Sequence, residues 1–268
     1  MTPEEMAPRV SDGLELLQTE IDDSSFCPRA HFPLDEALLM VTGKALRVGL
    51  AVCQLAKTGF YGEAFGLTRS VLEAFFIVKY ISSTQDSEAR ARSYLEFWKA
   101  HYYNQEELRK KYFPHLEEPD NLMQAMLDEA KSLFPNTRHW YPAYNMATEQ
   151  YDHPLEINPK TGKGFQSSAD YDGVYEMASH YVHCTVISSR PNFAASPFRT
   201  AKIDTEDHRG FLALHYCLVY ALMTCIILGR QWNVELGSEV LETIQALLAE
   251  LRVVASPTGS WIGTAQNP

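Results

Sequence analysis

The chain has 268 residues, 46% of them hydrophobic and 21% charged, which is enough to bury a core without disulfides or metals as staples. A formal net charge of -11 argues against non-specific nucleic-acid binding and against an anionic-membrane surface, since both need a basic face. Cys27, Cys53, Cys184, Cys217 and Cys225 form no C-x-x-C pair, and the start Met1-Thr2-Pro3-Glu4-Glu5 is acidic where a signal peptide would be basic. Buried free thiols and a cytoplasmic location are the expectation.

In chain order, residues 5–21 read as an amphipathic helix, followed by a loop through Cys27-Pro28-Arg29 and Phe32-Pro33. A second helix is predicted over 34–57, rich in Ala, Gly and Val and therefore able to pack close to a neighbour, with Gly59 placed to cap its end. The third, over 61–82, is apolar on nearly every face and should be a core helix. Asp86 is placed to cap a fourth over 87–111, and a short helix over 120–133 follows Pro119. The stretch from Pro135 to Gln166 is the least regular. A fifth long helix is predicted over 168–188, another over 205–230 and a last amphipathic one over 235–254. No alternating strand pattern and no long repeat interrupts them. The expectation is an all-α bundle of about six long helices, a single domain over residues 1–255 with a flexible tail over 256–268.

The helix over 205–230 has no charged residue from Phe211 to Leu228, a run just long enough to be read as a membrane span. It also carries His215, Tyr216, Tyr220 and Thr224, and a central helix enclosed by its neighbours has the same composition. It is assigned here to the core, with no membrane contact.

Lys160-Thr161-Gly162-Lys163-Gly164 lacks the spacing and the preceding strand of a phosphate loop and reads as a turn. Two features of the helices carry more chemistry. Arg69, Glu73, Phe76 and Tyr80 fall within about a 60° arc of the apolar third helix, so they share a stripe. A buried Arg-Glu pair costs several kcal/mol of desolvation, so it points either to a clamp between helices or to a polar pocket. On the fifth helix Tyr175, Ser179 and His183 recur every fourth residue, with Glu176 and His180 beside them. A hydrogen-bonded contact between helices is the default for Ser179 and His183, and facing the two stripes toward each other would satisfy both. His180 and His183 form H-x-x-H, but three or four converging ligands are needed for a metal, so neither metal nor cofactor is expected.

Gly62-Glu63-Ala64, then Leu67-Thr68-Arg69-Ser70-Val71-Leu72-Glu73-Ala74 and Tyr80-Ile81, resembles a bacterial family of unknown function. His139-Trp140 and the Tyr175, Ser179, His183 series match its later motifs in the same order, so the resemblance covers about residues 60 to 190. That family is all-helical and similar to HEPN-type domains, many of which are toxin or phage-defence ribonucleases. The resemblance implies Arg69, Glu73 and His183 as catalytic residues, with Tyr80, Tyr175, Ser179 and His180 lining the site. The HEPN signature itself, Arg and then His after four to six residues, occurs at Arg109 to His115 and at Arg209 to His215. Pro114 interrupts the first, and the second lies on the uncharged helix. Two readings follow. One is a HEPN-like ribonuclease acting on RNA, with His183 or His215 as general base and an Arg on the phosphate. The other is a non-catalytic helical homodimer that binds a partner protein or a small ligand in a polar pocket.

Overall fold

The computed structural model describes residues 1–22, 32–82, 86–115, 121–133, 174–182 and 207–255. Among these residues there are nine helices and no strand, so the chain is all-α. They are α1 (Pro3–Asp22), α2 (Pro33–Lys57), α3 (Tyr61–Ser82), α4 (Ser87–Glu96), α5 (Trp98–Tyr112), α6 (Asn121–Leu133), α7 (Glu176–Val182), α8 (Asp207–Trp232) and α9 (Ser238–Ala255). The Lys160 to Gly164 turn, the His139-Trp140 motif, His183, Cys27, Cys184 and the tail over 256–268 lie outside the described residues.

The α2–α3 hairpin is built as its sequence suggests. Gly59 takes φ 80°, a left-handed conformation that costs glycine nothing. Its N–H donates to the Ala56 carbonyl at 3.2 Å and that of Phe60 to the Leu55 carbonyl at 3.0 Å. Those two bonds satisfy carbonyls that the end of α2 would leave unpaired, and they turn the chain into α3. Asn233 makes the same kind of turn after α8, at φ 54°, with the Val234 N–H on the Gly229 carbonyl at 2.9 Å.

Two expectations are corrected. The helix predicted over 87–111 is broken at Phe97, whose N–H bonds the Tyr94 carbonyl at 3.2 Å in a tightened i−3 turn. This break makes α4 and α5 separate helices, and nine helices stand among the described residues where about six long ones were expected. Asp86 stands at the N-cap position of α4, but its side chain makes no capping hydrogen bond.

One apolar core runs through α1, α2, α3, α8 and α9. α8 is at its centre, packed against all four of the others. It follows α3 in the same direction, with Gly210 against Tyr61 at one end and Tyr220 stacked on Phe75 at 5.5 Å further along. Small residues set the spacing: a Cβ at Gly49 of α2 would lie 2.9 Å from the Cys217 sulfur and 3.0 Å from Leu14. Close packing of α2 on α8 therefore requires glycine there. α2 and α8 are both long and apolar enough to cross a membrane, by length and composition alone. In the bundle the apolar residues of α8, among them Leu214, Leu218, Ala221 and Leu228, are core. α1 closes the other side, its Arg9 bonded twice to Glu250 of α9 at 2.5 and 2.8 Å. Both side chains are about half exposed, so that pair holds little of the stability.

Candidate functional site: a polar seam on α3

α3 is enclosed by α2, α8, α7 and α4, which leaves little of it in water. Its polar side chains must then be satisfied by the neighbours they face. α7 approaches most closely at Gly66, where a Cβ would sit 3.0 Å from the Tyr181 Cβ. Phe65 meets the Tyr181 ring edge-on at 5.8 Å, and Arg209 of α8 lies over the same ring at 5.2 Å. One turn further along α3, Arg69 donates from Nη2 to the Tyr175 hydroxyl at 2.8 Å, and its guanidinium carbon is 4.6 Å from the centre of that ring. Tyr175 is buried and also packs on Phe76 at 6.4 Å. Ser179 donates to the Tyr175 carbonyl at 2.6 Å, a bond within its own helical segment.

Glu73 behaves differently from Arg69. It lies beside Tyr94 of α4, where burial first and the Glu73 carboxylate second hold the phenol above its ordinary titration range. No ion pair joins Arg69 to Glu73 among the described residues. Tyr80 also belongs to the α4 side: Arg90 covers its ring at 3.8 Å and donates to its carbonyl at 2.9 Å. The stripe is thus divided, with Arg69, Tyr175 and Ser179 toward α7, and Glu73 and Tyr80 toward α4. The sequence reading had missed Arg90 and Tyr94. Spacing puts Arg90 and Tyr94 one turn apart on α4, but α4 packs on both α2 and α3, and no sequence signal says which of the two they reach. The His180 side chain and His183 lie outside the described residues.

The members of both HEPN-type spacings have surroundings of their own. Arg109 is bonded to Glu106 one turn back through Nε at 2.7 Å and Nη2 at 2.5 Å, while His115 follows the end of α5. Arg209 is over Tyr181, and His215 is 4% exposed within the core. Burial first and the nearby Arg252 second push His215 down to about 4, too weakly basic for a general base near neutral pH. No group of three or more His, Cys, Asp or Glu among the described residues is placed to hold a metal.

A family model covers residues 35–196, more than half of the chain and all of α3, α4 and α7. The chain belongs to DUF5677, a family of unknown function. Both halves of the seam fall within the DUF5677 match, whereas His215 and Arg252 fall beyond it. No curated protein and no solved structure matches the chain.

The divided stripe has an energetic consequence. Arg69→Ala removes a charged donor from a buried hydroxyl together with a cation–π contact, at an expected cost of roughly 1.5–3 kcal/mol. Glu73→Ala removes a half-buried carboxylate that is not paired to Arg69 and should cost under about 1 kcal/mol. Urea denaturation of the two variants checks this. Equal losses would mean that the residues act as one pair after all.

Proposed function

We propose that this DUF5677 chain is a non-catalytic helical module that works by binding a partner protein, and is not the HEPN-like ribonuclease implied by the sequence resemblance. One observation carries the reading: the Arg69 guanidinium is engaged by the hydroxyl and the ring of buried Tyr175. An arginine that stabilises a phosphate must direct its fork at the phosphate oxygens. Arg69 is instead part of the contact that seats α7 on α3, and Arg90 makes a parallel contact from α4. Polar groups that bolt helices together in this way give a rigid body suited to presenting a surface. The acidic net charge of -11 also disfavours an RNA-binding groove.

Incubating the purified chain and its His183→Ala variant with mixed cellular RNA tests the choice. The expected result is intact RNA in both. Cleavage by the wild type that disappears in His183→Ala would overturn the proposal and restore the ribonuclease reading.

A further inference from the structure

Two cysteines face each other across the contact that holds α2 on α8. Cys53 lies one turn beyond Gly49 on α2, so the two share a face of that helix. That face meets Cys217 near the middle of α8, because a Cβ at Gly49 would lie 2.9 Å from the Cys217 sulfur. Cys53 and Cys217 are 3% and 0% exposed, and both are free thiols. Hydrogen bonding between the two thiols first, and burial second, push the Cys217 thiol well above its ordinary titration range. Cys225, two turns further along α8, is pushed up to about 12 by burial, without a second thiol contributing. The close approach that Gly49 permits is also what a disulfide between helices requires. Its Cα atoms stand about 4.4–6.8 Å apart, whereas packed helix axes are ordinarily about 8–10 Å apart.

We propose that Cys53 and Cys217 form a reversible disulfide that locks α2 to α8 when the chain meets hydrogen peroxide. The inference goes beyond the partner-binding reading and does not depend on it. The chemistry closes on two thiols and one peroxide. One sulfur attacks the O–O bond, becomes a sulfenic acid and releases water, and the second thiol then attacks that sulfur and releases another. The thiols give up two electrons and two protons, and the peroxide leaves as two waters. Because the thiolate is the attacking form, a pair held protonated in the core reacts slowly. Oxidation therefore follows local opening of the α2–α8 contact, and a small uncharged oxidant is suited to enter there. The new bond ties α2 to the central helix and closes a loop of well over a hundred residues. A loop that long restricts the unfolded chain strongly, so the bundle gains stability.

Peptide mapping of the full chain after overnight exposure to hydrogen peroxide decides the matter. Remaining thiols are capped with N-ethylmaleimide in denaturant, and the digest is read by mass spectrometry. The expected product is a Cys53 peptide joined to a Cys217 peptide, two hydrogens lighter than their sum. The oxidised chain should melt roughly 5 °C or more above the reduced one. Dithiothreitol should reverse both changes. Cys53→Ala and Cys217→Ala should each lose the bond and the rise in melting temperature, while Cys225→Ala keeps both. The mapping of the wild type stands by itself if an alanine variant folds poorly. Recovery of Cys53 and Cys217 as maleimide adducts would overturn the pairing, as would their conversion to sulfinic or sulfonic acids or a bond formed through Cys27, Cys184 or Cys225 instead. A Cys53–Cys217 bond that leaves the melting temperature level or lowers it would overturn the lock.

Discussion

Phe76→Ala is expected to lower the stability of the chain by roughly 3–5 kcal/mol, the range for deleting a fully buried aromatic ring. Phe76 is 0% exposed and ranks among the largest wholly buried side chains of the core. Its ring touches Phe75 at 6.0 Å on the side toward α8 and Tyr175 at 6.4 Å on the side toward α7. Removing it opens a void between the central core and the polar seam, too tightly framed by helices to collapse. The loss should also couple to the seam, because Tyr175 is held by Phe76 and Arg69 together. The Phe76→Ala, Arg69→Ala double variant should therefore lose less than the two single losses added, since each releases part of the same contact. Urea denaturation of the two single variants and the double gives the cycle. A Phe76→Ala loss below about 1 kcal/mol would mean that α7 and the core are not joined through this ring.

The helices were legible in the sequence because burial of one stripe per helix imposes a 3.6-residue period over α1, α2 and α9, while α3 and α8 are apolar runs too long for strands. Gly59 was legible because a residue free to take positive φ after an apolar run has few other uses. The break at Phe97 was not. Glu96-Phe97-Trp98 contains no proline or glycine, and the ladder there tightens through a backbone bond that leaves no mark in composition. The seam was legible in part. Spacing places Arg69 and Glu73 on one stripe of α3, and the structure keeps them there. Spacing cannot say which neighbour a long side chain will reach for when its stripe borders two. Arg69 lies where α7 crosses and turns to Tyr175, while Glu73, one turn on, has Tyr94 of α4 beside it. An i,i+4 pair on a helix enclosed on all sides is therefore weak evidence for an ion pair. The burial of His215 was not legible for a related reason. A histidine among uncharged residues fits a wet cavity lining and a dry core equally well, and only the packing of α9 and α1 around α8 distinguishes them.

His215 gives the second large effect, in the pH dependence of stability. Its side chain is 4% exposed, its ring meets Tyr216 edge-on at 5.5 Å, and Nδ1 has no hydrogen-bond partner among the described residues. Burial, reinforced by Arg252, moves its titration from 6.5 to about 4. Between those values the unfolded chain holds a proton that the native chain lacks, so stability rises with pH. It is fully present above about 6.5, falls as the solution is acidified, and levels off below about 4. Taking the chain from pH 7 to pH 5 should cost roughly 2 kcal/mol through this one group. Three carboxylates are displaced in the direction away from that window. Glu4, Glu106 and Glu250 are all held below 4.5, by hydrogen bonds from Tyr61, Arg109 and Arg9 respectively, although desolvation opposes them and is the larger influence on Glu4. Their stabilisation is lost only in more acid solution. His215→Leu isolates the effect, because it removes the titrating group and an unpartnered buried polar atom in one step and should be neutral or stabilising at pH 7. Denaturation of wild type and variant at pH 7, 6 and 5 should show the wild type losing ground while His215→Leu holds nearly level. Parallel losses in the two proteins would place the acid sensitivity elsewhere and would mean that His215 is solvated in the native chain.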